Sequence, residues 1–448
     1  MHYEELLRKA EDRGADFADL REFKVKTLRI SVTEETSQVT TNGIDHGYSF
    51  RIVYKNNMGY SSSTKLDEYL LDSAFSNIKE EGKIKIVLLP KKHDEVIIEP
   101  KVLTSKSISE KVKELEKIRN DLKSFSSVKS ISIRYYEDYI EKLYYSTEDR
   151  VIHIKYPVSG VSITVTSVDK DGNLVSASIS KSTYKDYVLE TFDPNEITKE
   201  AIERLENQIR GVLPKAGVFT VVLAPEVVGV FTHEALGHLA EADLAITGIL
   251  LGLKGKKIAS EEVNVVDSPI VDSTEGIGYT PYDDEGVEGK EVKIIDKGVV
   301  NDVLTDRFYS AYLGKNPTGN GRAEDFRSKV LVRMRNTYML PGSHKLEELF
   351  EGIKEGYFMK SVYGGQTGSD GSFQFGIQEG YYIRNGEISE PIKSTGISGY
   401  TIETLGQITM VSKNLEISSG FCGKSGQLIP VGSGGPYIRV EKMKVGGT

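Results

Sequence analysis

Two histidines and a glutamate lie within six residues of this 448-residue chain, in the segment HEALGH at positions 233–238. Imidazole nitrogens bind zinc and other divalent first-row metals. A glutamate beside a metal-binding histidine can reach the open coordination position and take a proton from water there. These residue types predict a metal site with His233 and His238 as ligands and Glu234 as general base.

The spacing of the two histidines departs from the familiar metalloprotease pattern. Zinc-binding pairs on a helix usually lie four residues apart on one face, whereas His233 and His238 lie five apart. On an ideal α-helix this spacing separates the side chains by about 140°. A break or a wide turn is therefore needed before His238, and we expect the helix to unwind at Gly237. The alternative is a helix that carries two of the chain's 7 histidines by chance.

A strand and a helix must hold this segment in place. Residues 218–223 are apolar and typical of a buried strand. The next three residues, Ala-Pro-Glu, predict a helix start, because proline suits the first turn and a glutamate there interacts favourably with the helix dipole. This helix would present the first histidine and the glutamate to the site. The apolar stretch 246–253 follows, and we interpret it as core or interface rather than as a mobile flap.

A catalytic zinc usually has three protein ligands and a water, so a third ligand is needed. The candidates are Glu241, Asp243 and Cys422, which is the only cysteine. Cys422 lies among glycine, serine and lysine residues, which predicts a tight loop rather than a packed core position. Lys424 would favour its thiolate. Glu241 is the next choice, although it could instead orient a ligating histidine or be a solvated carboxylate.

Composition and charge narrow the functional class. The net charge is -9, with lysine and arginine spread along the chain, which argues against an electrostatic nucleic-acid binder. There is no apolar run of about 18 residues, so we expect no membrane-spanning helix, and the charged N-terminal segment is unlike a signal peptide. A single cysteine excludes an intrachain disulfide framework and fits a reducing compartment. We therefore expect a cytoplasmic protein.

The hydrophobic periodicity predicts an α+β chain, and a length of 448 residues predicts two or three domains. The first is an α+β domain over residues 1–212 with a possible sub-boundary near 100–106, and the second is a β-rich domain over residues 216–448 that carries the metal-site helix. The composition changes at residues 211–214. We predict helices near 3–13, 66–78, 107–122, 197–209 and 346–353, and first-domain strands near 129–136, 139–147, 151–156 and 161–165.

Several longer motifs carry a resemblance to a known family. HEALGH is followed far downstream by FCGKSGQLIPVGSGGP, which contains Cys422. Other stretches agree: YDDEG at 282–286, TGNGRA at 318–323, MRNTYMLPG at 334–342 and GGQTGSDGSFQFG at 364–376. Together they resemble the TldD/PmbA family of metalloproteases, and specifically its TldD branch, because the PmbA (TldE) branch lacks the HExxxH motif. The likeness is diffuse in the first half and specific from about Val218 onward.

The resemblance implies a zinc ion, one per subunit, held by His233, His238 and Cys422, with Glu234 as general base. It also implies a two-domain subunit with a β-rich second domain. Members of the family form dimers with a buried channel that takes unfolded peptide as an added strand. We therefore expect a homodimer, or a heterodimer with a PmbA/TldE-like paralogue, and a peptide or unfolded-protein substrate.

Other residues could contact the substrate. The Gly-rich stretches 364–376 and 432–435, including Gly364 and Gly365, could donate backbone N–H groups to the oxyanion, or could be tight turns. The motif-like stretches also contain three side chains that could touch substrate or be purely structural: Arg322, Tyr338 and His344.

The function that these features predict is a zinc-dependent metallopeptidase. One alternative is a deformylase-like amide hydrolase that acts on a small group. The other is a metal-stabilised subunit that binds peptide and needs a PmbA-like partner for activity. The intact glutamate of the motif argues against this second alternative, because a structural zinc needs no base.

Overall fold

The first half of the chain is a sheet of long strands with helices on one face. The computed structural model describes residues 2–446. The helices of this half are α1 (Tyr3–Asp12), α2 (Glu68–Ser76), α3 (Val102–Ser105), α4 (Ile108–Lys123), α5 (Val188–Thr191) and α6 (Pro194–Arg210). The strands are β1 (Phe17–Thr33), β2 (Ser37–Tyr54), β3 (Asn57–Ser63), β4 (Lys92–Ile97), β5 (Ser130–Ser146), β6 (Arg150–Val168) and β7 (Leu174–Thr183). They form one sheet in the order β3-β2-β1-β5-β6-β4, and β7 pairs with β6.

Side-chain alternation divides the two faces of this sheet. Successive residues of a strand point to opposite faces, and β1 shows the result. Leu20 packs in the cluster formed by α1 and α2, and Ile30 packs in the cluster formed by α4 and α6. Phe23 points the other way and packs in a cluster with Phe326 from the second half of the chain. The sheet is therefore a middle layer between helices and the second half.

Two strands of this half are longer than the sequence predicted. The predicted strands 129–136 and 139–147 form the single strand β5, because no glycine or proline separates them. Likewise 151–156 and 161–165 both belong to β6. Pro157 does not end β6, since it lies between the residues that pair with β4 and those that pair with β7. Proline has no backbone N–H to donate to a neighbouring strand. Pro157 is tolerated because it lies in the gap between β4 and β7, where that N–H is not needed.

The second half is rich in β-structure. Its helices are α7 (Pro225–Val230), α8 (His238–Ala240), α9 (Ala242–Ala245), α10 (Arg307–Leu313) and α11 (Thr401–Leu405), with a π-helix at Phe231–Gly237 and 3-10 helices at Leu251–Leu253 and Glu347–Leu349. Its strands are β8 (Gly217–Leu223), β9 (Val265–Ser268), β10 (Val292–Asp296), β11 (Val299–Val300), β12 (Gly321–Arg322), β13 (Leu331–Val332), β14 (Asn336–Met339), β15 (Glu355–Thr367), β16 (Ser372–Arg384), β17 (Glu387–Ile392), β18 (Thr395–Tyr400), β19 (Ile408–Val411), β20 (Glu416–Lys424), β21 (Gln427–Gly435) and β22 (Ile438–Val445). The predicted α+β class with a β-rich second half is confirmed.

Two larger sheets organise these strands. One has the order β11-β10-β9-β14-β21-β20, so β20 is its edge strand. The other has the order β15-β8-β22-β18-β16-β17, and β15 also pairs with β16, which closes five strands into a ring. The π-helix packs against this ring, where Phe231 makes edge-to-face contacts with Phe373 and Phe375. The HEALGH motif is thus anchored in the main core of the second half.

Two other predictions for the second half concern residues 346–353 and residues 246–253. The helix predicted near 346–353 is wrong: only the 3-10 helix is present, and Gly352 adopts a left-handed φ of 73° that an α-helix cannot continue through. Its apolar residues are nevertheless buried, which explains the misleading periodicity. The stretch 246–253 contributes the fully buried Leu250 to the core, in agreement with the core interpretation.

The predicted division into domains 1–212 and 216–448, with a sub-boundary near 100–106, stays a prediction. Residue 1 and residues 447–448 of these predicted domains lie outside the described residues. Within residues 2–446, no helix combines the length and apolar character needed to cross a membrane.

Candidate metal centre

A π-helical turn solves the spacing problem of the two histidines. The α-helix α7 widens into the π-helix Phe231–Gly237 before α8 begins at His238. In a π-helix the hydrogen bonds join residues five apart, so residues at this spacing lie on the same side. The expected wide turn is therefore present. The expected unwinding at Gly237 is wrong, because this residue keeps helical angles (φ -58°, ψ -49°) and the chain leaves the helix only at Glu241 (ψ 123°).

Gly237 serves packing rather than a break in the helix. A Cβ atom at this position would lie 2.0 Å from Sδ of Met334. Met334 is fully buried, so the helix lies directly against it. The absence of a side chain at Gly237 thus lets the π-helix approach the segment that leads into β14.

Three donor atoms converge at the π-helix. His233, His238 and Cys422 each offer one donor atom, and these three atoms lie within 4.8 Å of one another. Nε2 of His238 is 3.6 Å from Sγ of Cys422, and the two imidazole rings are 5.1 Å apart at an interplanar angle of 84°. Nδ1 of His233 is buried and has no hydrogen-bond partner within residues 2–446. Two imidazoles and a thiolate are a donor set that suits zinc, so the residues present fit a zinc ion.

Cys422 reaches the site from a strand. The sequence predicted a tight loop, but Cys422 lies in the edge strand β20, opposite Ile429 of β21, and the turn comes after it at 425–426. Burial alone would raise the pKa of the Cys422 thiol, but hydrogen bonds from His233 and His238 outweigh it and lower this pKa to about 5. The two imidazoles therefore favour the thiolate in the absence of an ion.

Lys424 has a different role from the predicted one. Its ammonium group binds Glu241 at 3.1 Å and Asp243 at 2.7 Å, and donates to the carbonyl of Val332. Lys424 thus neutralises two carboxylates beside the site, while the imidazoles account for the lowered pKa of the Cys422 thiol.

Glu241 orients the second histidine. It is fully buried, and its Oε2 accepts a hydrogen bond of 2.9 Å from Nδ1 of His238. Burial would lower the pKa of His238, but the charge of Glu241 and the thiolate of Cys422 raise it to about 10. With Nδ1 held by this carboxylate, Nε2 is the nitrogen that faces the other donors. Of the three candidates for the third ligand, the structure brings Cys422 into the donor set, while Glu241 and Asp243 contact Lys424.

Glu234 lies between the donors and an open cavity. Its side chain is 21% exposed, and its Oε2 is 3.9 Å from Nε2 of His238. Burial raises the pKa of Glu234, although His233 and His238 oppose this shift. Glu234 can therefore be reached by a molecule in the cavity while remaining beside the donor set.

The cavity lies between the two halves of the chain and has a volume of about 550 Å³. His233 and Glu234 form part of its wall, together with Gly364 and Gly365 of β15 and Ser433 of β21. The Gly-rich stretches that the sequence singled out thus border the same space as the proposed general base.

Three residues predicted to contact substrate are not among the residues that line this cavity. Arg322 is buried, and its guanidinium donates to the carbonyls of Met334 and Pro430. Tyr338 packs in a small apolar cluster between β9 and β21. The imidazole of His344 lies 3.3 Å from Glu262 and from Glu348.

Part of the cavity wall comes from residues that the sequence did not single out. Lys181 of β7 and Glu200 and Arg204 of α6 line it from the first half, and Gln378 of β16 bridges to β7 through Ser178. No motif marks these residues. Their role depends on how the two halves pack, which a linear pattern does not encode.

Comparisons with known proteins agree with these features. The family model for the PmbA/TldA metallopeptidase C-terminal domain matches residues 216–447, and the model for the central domain matches residues 99–209. The chain is 46% identical over 443 residues to the zinc metalloprotease TldD homolog of Saccharolobus solfataricus, which covers 98% of this chain and 99% of that protein. It is 31% identical over 449 residues to a metalloprotease of Methanothermobacter thermautotrophicus, with coverage of 99% and 98%.

Solved structures share the fold. TldE from Thermococcus kodakarensis superposes with a TM-score of 0.79 at 18% identity, over 99% of both chains. A protein from Thermotoga maritima superposes with a TM-score of 0.81 at 20% identity, over 99% of this chain and 98% of that one. At these identities the likeness supports the fold alone.

Proposed function

The chain belongs to the PmbA/TldD family of metallopeptidases, and from this premise we propose that it is a zinc-dependent peptidase with one zinc ion per subunit. His233, His238 and Cys422 hold the ion, and Glu234 is the general base. The observation that carries this proposal is the π-helical turn, because it brings two histidines five residues apart to within 4.8 Å of the cysteine sulfur.

The chain's own residues supply the proton transfers. When bound, zinc would act as a Lewis acid toward the peptide carbonyl and toward a water molecule. Glu234 accepts a proton from the water on a carboxylate oxygen and later delivers it to the nitrogen of the leaving amine. Its raised pKa suits the first step, because a carboxylate whose pKa lies closer to neutrality is a stronger base toward the water. Glu241 keeps the proton of His238 on Nδ1.

The substrate is a peptide or an unfolded polypeptide. The cavity of about 550 Å³ can hold a segment of several residues rather than only a formyl or acetyl group. Backbone N–H groups at Gly364 and Gly365, which border the cavity, are our candidates for oxyanion donors. We assign the subunit to a homodimer or to a heterodimer with a PmbA/TldE-like paralogue, on the basis of family membership and the shared fold with TldE.

Metal analysis combined with a cleavage assay tests the proposal. The parent protein should contain one zinc per chain and cut an unfolded test protein into fragments. Cys422→Ala should lose most of the zinc, because one of three ligands is gone. Glu234→Gln should keep the zinc and lose hydrolysis by at least about a hundredfold, the range usual for a general base.

Four outcomes would contradict parts of this assignment. Unchanged zinc in Cys422→Ala would move the third ligand elsewhere. Turnover of Glu234→Gln within tenfold of the parent would remove Glu234 as the base. Release of formate or acetate without peptide fragments would instead support a small-group amide hydrolase, and peptide binding without cleavage, alone or with a TldE-like partner, would support a binding subunit.

A further inference from the structure

The cavity beside the metal centre has an acidic wall. The charged residues that line it are four carboxylates and two cations: Glu200, Glu226, Glu234, Glu416, Lys181 and Arg204. Glu234 belongs to the proposed catalytic centre and faces the donor set. The remaining three carboxylates still outnumber the two cations on the wall away from that centre.

Neither cation offers a free positive charge to a ligand. Lys181 pairs with Glu275 at 2.9 Å. Arg204 pairs with both Glu200 at 2.6 Å and Glu226 at 2.8 Å, so one guanidinium is shared by two carboxylates of the wall. The wall around Arg204 therefore keeps a net negative charge.

Glu416 adds a second negative charge. Within residues 2–446 it has no ion pair and no side-chain hydrogen bond, and it is exposed at the start of β20. Its carboxylate is therefore free to meet a positively charged group in the cavity.

Two buried groups respond to this negative potential. Burial would lower the pKa of Lys181, yet Glu275, Glu200 and Glu226 raise it above its ordinary value. Burial raises the pKa of Glu275, Lys181 opposes the rise, and Glu200 and Glu226 add to it. The rise in the pKa of Lys181, against the effect of its burial, has the sign expected where carboxylates outnumber cations.

The spacing along the chain gives the approximate backbone separation of two acidic residues from the candidate metal ligands. Glu226 precedes His233 by seven helical residues, which is about 10 Å at 1.5 Å per residue. Glu416 precedes Cys422 by six residues of β20, which is about 20 Å at 3.3 Å per residue. An extended peptide also advances about 3.3 Å per residue. For a substrate that lies extended along this wall, the two acidic positions would face residues about three and about six positions from the cleaved bond.

We propose that Glu226, with Glu200, and Glu416 determine specificity by selecting peptides that carry lysine or arginine about three to six residues from the cleaved bond. This inference rests on the peptidase function proposed above. A cationic side chain at that distance would meet the unpaired charge of the wall, whereas an acidic side chain would be repelled by it.

Binding to a non-cleaving form of the protein separates selectivity from catalysis. We would use zinc-loaded Glu234→Gln protein and a neutral, fluorescein-labelled peptide series in which one lysine, or one glutamate, is moved along the sequence. At the favoured positions the lysine peptide should bind about three- to tenfold more tightly than the glutamate peptide in low salt, the size expected for one partly solvated charge pair. The ratio of the two affinities should shrink in 0.5 M salt, because at roughly that concentration salt screens charge interactions beyond a few ångströms.

Variants at Glu416 test the assignment of the far position. Glu416→Gln should reduce the lysine preference at the position about six residues away, and Glu416→Lys should reverse it. Because Glu416 is exposed and unpaired within the described residues, neither change should unfold the protein. Glu387→Gln is the matched control, since Glu387 is also exposed at the start of a strand but does not line the cavity. Its peptide preference should equal that of the parent.

Equal affinity for the lysine and glutamate series at every position would overturn the inference. So would a preference that Glu416→Gln and Glu416→Lys leave unchanged. The parent enzyme is assayed with the same peptides: if it cleaves them without charge preference, only this inference fails. If no peptide is bound or cleaved, the proposed peptidase function fails as well.

Discussion

Replacing Gly237 with alanine tests whether the π-helical turn depends on close packing. The added methyl group would lie 2.0 Å from Sδ of Met334, which is fully buried and cannot turn into solvent. An unhindered Gly-to-Ala change inside a helix stabilises a protein by about 0.5–1 kcal/mol. An extra methyl group forced into a packed core costs about 1–3 kcal/mol. We therefore expect Gly237→Ala to lower the free energy of unfolding by a net value of up to about 2.5 kcal/mol.

Denaturant unfolding of the metal-free protein measures this change, and a chelator competition measures zinc affinity. Zinc binding should also weaken, because His238 follows Gly237 directly and moves with it. Gly252→Ala is the control, since nothing lies within 4 Å of a Cβ at that position, and its stability should stay within about 0.5 kcal/mol of the parent. If Gly237→Ala is as stable as the parent or more stable, the packing explanation for this glycine is wrong.

A double-mutant cycle identifies the partner in this contact. Met334→Ala alone should destabilise the protein by about 2–5 kcal/mol through the cavity it leaves. Adding Gly237→Ala in that background should cost nothing or should stabilise, because the sulfur that the methyl group would strike is gone. Additive effects of the two substitutions would show that the methyl group is accommodated without touching Met334.

Three further predictions follow from the site and the fold. Glu241→Gln should weaken zinc binding about 10–100-fold in a chelator competition, because the carboxylate that orients His238 is lost; unchanged affinity would show that the ring needs no such support. In metal-free protein, alkylation of Cys422 should remain fast down to about pH 5 and slow only as the pH falls below that value, since the lowered pKa keeps the thiolate present above it; a midpoint near that of an ordinary thiol would contradict this. Burial, and then the charge of Glu285, raises the pKa of Asp283 well above its ordinary value. The contribution of Asp283 to stability is therefore complete below the ordinary carboxyl pKa, and it is lost as the pH rises through the raised pKa of the folded protein. Unfolding measurements from mildly acidic to alkaline pH should therefore show falling stability, and constant or rising stability would refute the assignment.

The residue types at the candidate metal centre could be predicted from the sequence, but the conformation that joins them could not. A five-residue spacing between His233 and His238 requires a local departure from the α-helix, and a glycine beside the second histidine is compatible with a break. The π-helix meets the same requirement without ending the helix. Gly237 stays in the helix and packs against Met334, a contact between residues nearly a hundred positions apart. Local patterns carry no information about that contact.

The cavity wall was beyond sequence reasoning for a similar reason. Lys181 and Arg204 belong to the first half of the chain, where they read as ordinary charged residues on a strand and a helix. They become part of the site only because β7 and α6 lie beside α7 and β20. Strand and helix types were predictable where periodicity was long and uninterrupted. The ends of strands were less predictable. Strand β6, for example, continues through Pro157, which lies in the gap between its partners β4 and β7.

One buried carboxylate ties together the two segments that supply the metal donors. The helix ends at Glu241, whose backbone turns to an extended conformation while its side chain accepts from His238. The same carboxylate pairs with Lys424, which lies two residues beyond Cys422 on β20. The helix that carries both histidines and the strand that carries the cysteine are therefore joined by an ion pair that does not require a metal ion. Removing either partner of a buried pair leaves an uncompensated charge, and Lys424 is held by Asp243 as well as by Glu241. The helix and the strand that carry the candidate donors are thus linked by an interaction that lies outside the donor set itself.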